Sequence, residues 1–364
     1  MMALGIQKVL LEEGAQEHPG SARILKCLSS VPVERVSIDP SNAGICSGNM
    51  DKRTLHLVRF KGEFLKPCPG TKNYICCGYR ILHIGTNCPL DCTYCILQAY
   101  VNQPSLRVFV NLNDALCGIG SVLDASQDKI FRVGTGEFTD SLALDPITGW
   151  TSILLPFFSR KRNAVLELKT KTDRIDGLLS SPYRDRIIVS WSLNSPEIIR
   201  KEERGAPNIE RRLTAARKCQ REGYTLGFHF DPLILHPDWK EGYMRTVEVL
   251  DKYIDPKGII WISLGCLRFM PILKSIIRFR HGKTHVLKGE FVQGLDGKMR
   301  YFKPFRMQMY GYMGKILRDW HDDLAIYLCM ESDDVWHRGL GWSPGDSSGL
   351  SYFLDQRVVR FFAR

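Results

Sequence analysis

Three cysteines stand close together in this 364-residue chain as Cys88-Pro-Leu-Asp-Cys92-Thr-Tyr-Cys95, a C-x3-C-x2-C spacing. Thiolates placed this way can reach three irons of one cubane, whereas an iron–sulfur cluster held wholly by protein takes four cysteines. The fourth iron is then open, as catalytic metal sites keep one position free. On a [4Fe–4S] cluster at Cys88, Cys92 and Cys95, that iron is expected to take the amino and carboxylate groups of S-adenosylmethionine (SAM). An electron from a reductant such as flavodoxin or ferredoxin then cleaves the sulfonium to a 5′-deoxyadenosyl radical. The cofactor carries the hard chemistry, and the protein supplies orientation and a dry pocket. The alternative is zinc with a fourth ligand elsewhere, but structural zinc usually pairs two short-spaced ligand couples.

The elements that must position this loop are legible from residue 80 onward. Short apolar, β-branched runs fall at Arg80–Ile84, Ile130–Val133, Val165–Leu168, Ile187–Trp191, Thr225–Phe230 and Ile259–Leu264. Amphipathic stretches separate them, among them NLNDALCGIGSVL, ITGWTSILLPFF, PNIERRLTAARKCQ and WKEGYMRTVEVLDKY. Strands alternating with helices specify a parallel α/β architecture. Polar groups follow each strand: the cysteine loop, Gly134–Glu137, Lys169 and Lys171, Ser192 and Asn194, His229 and Asp231, then Gly265 and Cys266. Sites in parallel β/α folds are built at the C-terminal ends of strands. Convergence of all six sets favours a partial (β/α)6 TIM barrel over a doubly wound sheet.

The expected organisation is an N-terminal α/β extension over 1–79, the partial barrel over 80–270, and a C-terminal hairpin and cap over 271–364. In the extension a helix (PGSARILKCL) and a strand (TLHLVRF) flank a Gly/Asn/Ser-rich loop at Asn42–Asn49. A hairpin is expected to turn at Asp296–Gly297, a strong short-range signal.

Gly134 and Gly136 would let backbone approach a ligand closely, and the Glu137 carboxylate can accept from the SAM amino group. Lys169 or Lys171 could pair with the SAM carboxylate, and Ser192 and Asn194 could bond the ribose. Exposed lysines and strand-end caps are the plainer readings of the same residues.

The chain resembles the spore photoproduct lyases, radical SAM enzymes that reverse a UV-induced thymine dimer in DNA. The resemblance runs from about residue 5 to about 315 and rests on NCPLDCTYCILQ, TDSLALD, LELKTK, SWSLN, GFHFDPLILHPDW with the following EGY, and RYFKPFR. It implies SAM contacts at Tyr94, Thr139, Lys171, Ser192 and Asp231, although the family usually has a small residue at the last. It also implies that Arg300 and Tyr301, with Lys298 beside them, meet a DNA lesion. Tyrosine stacks on an exposed base and arginine reaches phosphate.

Two positions depart from that family. Where the lyases carry the cysteine that returns a hydrogen atom to the product, this chain has Glu137, which cannot do so. Where they carry a tyrosine after the third cluster cysteine, it has Ile96. Dimer repair therefore does not transfer unmodified. The chain has, in exchange, Cys68, Cys76 and Cys77 just before the first barrel strand. Cys76 or Cys77 is a candidate hydrogen donor, or Cys68, Cys76 and Cys77 hold a second metal. Cys266, at the C-terminal end of the sixth strand, is the better-placed donor on this reading. Cys27, Cys46, Cys117, Cys219 and Cys329 read as small packing residues.

Net charge is +11, which favours a polyanionic partner through counterion release. Clustered cysteines in such a chain point to metal or redox chemistry in the cytoplasm rather than a secreted disulfide framework. No stretch approaches the ~20 apolar residues of a membrane span. The leading expectation is an oxygen-sensitive cytoplasmic radical SAM enzyme in DNA repair. The others are radical chemistry on RNA, a peptide or a small molecule, and a cluster-bearing nucleic-acid-binding protein without turnover.

Overall fold

The computed structural model describes residues 5–37, 50–71, 73–101, 103–282 and 284–362. The expected loop at Asn42–Asn49, and Cys46 within it, lie outside these. The central element is an open sheet whose six expected strands lie in chain order. They are Arg80–Leu82, Phe131–Gly134, Ala164–Thr170, Ile187–Ser192, Thr225–Leu233 and Ile259–Cys266. Each pairs in parallel with its neighbour. A seventh strand, Ile326–Leu328, adds in parallel beyond the sixth, and Leu65–Pro67 closes the other edge antiparallel to the first. The result is a curled parallel half-barrel, as the alternation of elements required.

These strands read as near-continuous apolar runs because both faces are covered. Ile187–Ser192 and Ile259–Cys266 are buried along their whole length, as parallel strands sandwiched between layers are. Helices at Leu112–Asp124, Ile209–Arg221 and Trp239–Tyr253 fall on the expected amphipathic stretches. The stretch ITGWTSILLPFF forms two helices, Asp145–Thr148 and Trp150–Phe158. Gly149, at φ 62°, breaks it, in a left-handed conformation that glycine adopts without a Cβ penalty.

A second sheet lies in the N-terminal region, in the order Val33–Val36, Lys8–Glu12, Asp51–Val58, Ser105–Phe109 and Gly85–Thr86. The last two strands come from the chain around the cysteine loop, so the loop leaves and re-enters through this sheet. The hairpin forms as expected, with Phe291–Gln293 antiparallel to Met299–Tyr301. It leads into the long helix Lys303–Trp320, followed by helices Asp333–Leu340 and Ser347–Phe362. No helix among the described residues is long and apolar enough to cross a membrane.

Candidate active site

A cavity of about 320 Å³ opens at the C-terminal ends of the barrel strands, lined by Cys88, Cys92 and Cys95 on one side. Tyr94, Gly136, Glu137, Thr139, Lys171, Ser192 and Asp231 also line it. Ten of the eleven residues expected to hold cluster or SAM therefore share its wall, leaving only Gly134 outside.

Gly134 has a different role. A Cβ there would lie 1.3 Å from the Tyr79 hydroxyl, so the glycine makes room for a buried tyrosine rather than for a ligand. Asn194 is likewise engaged with protein: its amide donates to the Pro232 carbonyl at 2.8 Å and its oxygen accepts from Tyr243 at 2.7 Å.

The cysteine loop is braced from several directions by bonds that do not involve sulfur. Asp91–Cys92 pairs antiparallel with Glu203–Arg204. Thr93 donates to Glu202 at 2.5 Å, and the Tyr94 hydroxyl donates to Glu203. Glu203 also takes a 2.5 Å ion pair from Arg212, both side chains wholly buried. Burial alone would raise the Glu203 carboxyl, yet Arg212 and then Lys171 beside it bring it below its usual range. Lys52 donates to the Cys88 carbonyl at 2.6 Å, and Arg280 reaches Asp91 at 2.9 Å. None of these braces stood out in the sequence, because charged residues on helices read as solvated faces.

Lys169, near the end of the third strand, and Lys171, just beyond it, both line the cavity. Lys169 makes a 2.5 Å ion pair with Glu137. Lys171 makes no ion pair within 4.0 Å among the described residues and lies over the Tyr94 ring, 5.8 Å from its centroid. That selects Lys171 as the free cation. The Thr139 hydroxyl is buried without a partner, a costly arrangement unless a ligand satisfies it. Asp231 is paired with Arg268 at 3.0 Å. Burial would raise its carboxyl, and Arg268 more than offsets this, so it lies low.

Below the cavity, Glu167 accepts from Ser190 at 2.5 Å, His229 at 2.8 Å and Trp261 at 3.0 Å. His229 reaches Ser263 through its other nitrogen at 2.6 Å. Burial would raise Glu167, but His229 and the hydrogen bonds hold it down to about 2.

These residues fit the cluster and SAM. The three cysteines share one wall, and the unpaired lysine and orphaned threonine hydroxyl supply polar groups for the ligand.

The thiols proposed as hydrogen donors need correction. Cys266 does not line the cavity: its sulfur lies 3.9 Å from that of Met309 on the helix Lys303–Trp320. Strand alternation explains this, since Ser263 and Gly265 face inward and Cys266 outward. Cys76 and Cys77 line an adjoining space, and of these three neighbouring thiols Cys68 alone also lines the main cavity, beside Cys88, Cys92 and Cys95. Cys27 and Cys117 are exposed, so they are not packing residues.

Arg300 and Tyr301 are each 1% exposed. Arg300 pairs with Asp296 at 2.7 Å and lies over the Tyr74 ring, while the Tyr301 hydroxyl accepts from the Leu235 amide at 3.1 Å. Protein partners claim both, so neither presents itself to a nucleic acid. Lys298 lines the main cavity instead, bonded to Thr71 at 3.1 Å. The exposed apolar groups of the hairpin are Val292 and Leu295.

Comparison with known proteins gives a consistent result. The family model described as spore photoproduct lyase matches residues 73–313. Spore photoproduct lyases of a Geobacillus species and of Bacillus subtilis are 26% and 27% identical over 250 residues. Those alignments cover 67% and 68% of this chain and 71% and 70% of the relatives. A solved spore photoproduct lyase complexed with dinucleoside spore photoproduct superposes with a TM-score of 0.77 at 21% identity. It covers 89% of this chain and 98% of that one. A mutant form with bound AdoMet and the same dinucleoside gives the same score and coverage.

Proposed function

Because the chain belongs to the spore photoproduct lyase family, we propose that it is a radical SAM enzyme acting on damaged DNA. The observation that carries this reading is the cavity wall on which Cys88, Cys92 and Cys95 face the unpaired Lys171 and the orphaned Thr139 hydroxyl. When bound, a [4Fe–4S] cluster and SAM supply a 5′-deoxyadenosyl radical able to abstract a hydrogen atom from substrate. Cys88, Cys92 and Cys95 hold the cluster, and Lys171 neutralises the SAM carboxylate. Thr139 and Ser192 offer hydroxyls to its polar groups, and Tyr94 holds the loop in place through Glu203. The chain's net charge of +11 suits a phosphodiester partner.

Anaerobic reconstitution followed by SAM cleavage under dithionite, comparing the natural chain with Cys92→Ala, tests the core of this reading. The expected result is 5′-deoxyadenosine from the natural chain alone. Tighter binding to UV-damaged than to intact DNA tests the substrate, and equal binding would overturn that part.

A second reading keeps the radical chemistry and moves the substrate to RNA, a peptide or a small molecule. The ion pair of Glu137 with Lys169, at the place of the family's hydrogen donor, favours it, as does the burial of Arg300 and Tyr301. Deuterium appearing in 5′-deoxyadenosine from a labelled non-DNA substrate, and not from damaged DNA, would select it.

A further inference from the structure

The proposed SAM chemistry leaves unused a second space rich in thiols. A cavity of about 130 Å³ adjoins the first and is lined by Cys68, Cys76, Cys77 and Cys329, with Tyr79 and Met330. All four cysteines are free. Cys68 lies within electrostatic reach of Cys76 and Cys77, and Cys329 within reach of Cys68 and Cys77. In the sequence Cys329 is an isolated residue far from the other three. Cys329 follows the seventh strand, on the opposite edge of the half-barrel from the strand Leu65–Pro67, and the bridge between Ile75 and Glu331 joins the two edges there.

The chain is shaped to keep these thiols together. The Cys68 amide donates to the Tyr79 carbonyl at 2.8 Å, closing the segment on itself. Gly70 turns it at φ 52°, with the position of an added Cβ only 3.5 Å from the Cys76 sulfur. The Ile75 amide donates to the Glu331 carbonyl at 2.9 Å, tying this segment to the one that carries Cys329. Two cations attend the group. Arg268 lies 3.3 Å from the Cys329 sulfur, and Arg132 donates to the Cys77 carbonyl.

We propose that Cys68, Cys76, Cys77 and Cys329 are the four ligands of a second iron–sulfur cluster. Four thiolates match the full protein ligation of such a cluster, unlike the three-cysteine site with its open iron. Arg268, at the Cys329 sulfur, and Arg132, at the Cys77 carbonyl, are also paired with Asp231 and Asp355. Cys68 and Met330 line both spaces, so the second cluster would stand directly behind the wall of the main cavity. This assignment does not rest on the SAM reading.

The test is anaerobic reconstitution with iron and sulfide, followed by metal analysis and Mössbauer spectroscopy. The natural chain is expected to hold about eight irons, and a variant carrying Cys88→Ala, Cys92→Ala and Cys95→Ala about four, in a fully ligated [4Fe–4S] centre. The variant carrying Cys68→Ala, Cys76→Ala, Cys77→Ala and Cys329→Ala is expected to lose that fully ligated spectrum and keep the other. A natural chain that holds about four irons in a single cluster overturns the proposal whatever the variants do. Zinc bound by the four thiols overturns it equally. Failure of the SAM reading alone would leave iron in the first variant and no SAM cleavage in the natural chain.

Discussion

The hydroxyl of Tyr94, set between two cluster cysteines, donates to the carboxylate of Glu203, which is itself paired with Arg212 in a fully buried position. A residue of the cysteine loop is thus joined to the turn that follows the fourth barrel strand and its next helix. Removing the centre of this arrangement leaves a buried guanidinium without its counter-charge, held only by the Pro207 and Ser192 carbonyls. Glu203→Ala is expected to cost about 3–5 kcal/mol and to lower the iron retained after reconstitution. Tyr94→Phe is expected to cost only about 1 kcal/mol. Urea denaturation of the two variants, with iron analysis, checks both.

Thr139 gives a cleaner separation of stability from binding. Its hydroxyl is buried and unpartnered, so Thr139→Val removes an unsatisfied group with little change of shape. The unliganded protein is expected to melt at the same temperature or higher, while SAM binds more weakly. Thermal scans with and without SAM give both quantities. Equal SAM stabilisation in variant and natural chain would remove Thr139 from the site.

Lys171→Ala is expected to weaken SAM binding by roughly tenfold to a hundredfold, the usual range for a hydrogen bond to a charged group at about 1.5–3 kcal/mol. Lys169→Ala acts differently, because Lys169 is already paired with Glu137. It is expected to release that carboxylate, with a smaller effect on SAM. Equilibrium dialysis of the reconstituted variants distinguishes the two lysines.

Acid stability follows from Glu167. Its carboxyl is held down to about 2 in the folded chain against an ordinary 4.5. A depressed carboxylate contributes stability that is fully present above the unfolded value and is lost as pH falls toward the folded one. Stability is therefore expected to decline between about pH 4.5 and 2, and more gently in Glu167→Gln, whose stability at neutral pH is lower. Denaturation curves across that interval provide the check.

Two glycines should respond oppositely to alanine. Gly134→Ala drives a methyl into the Tyr79 hydroxyl and is expected to cost at least about 1–3 kcal/mol. Gly118, in the helix Leu112–Asp124, has nothing within 4 Å of an added Cβ. Gly118→Ala is expected to stabilise by about 0.5–1 kcal/mol. Melting temperatures of the pair test the packing at the end of the second strand.

The half-barrel was legible in the sequence because its strands are apolar, evenly spaced and followed by polar groups. The cavity residues could be named because strand ends and the cysteine spacing are both local signals. Other features depend on partners distant in the chain. Ser105–Phe109 is a short run whose place is set by Asp51–Val58. Arg300 and Tyr301 have side chains suited to a nucleic acid, but Asp296 and the Leu235 amide occupy them. Cys266 sits at the correct end of its strand and on the wrong face, a distinction of one residue in register. Cys329 carries no local mark at all, and it comes near Cys68 only where the bridge between Ile75 and Glu331 joins the two edges of the half-barrel.

The bonds that brace the cysteine loop run through Lys52, Arg280, Glu202 and Glu203, and none of them passes through sulfur. On the proposed reading, these braces would remain when iron is lost, so a chain stripped of iron is expected to keep its fold and to take up iron and sulfide again without unfolding.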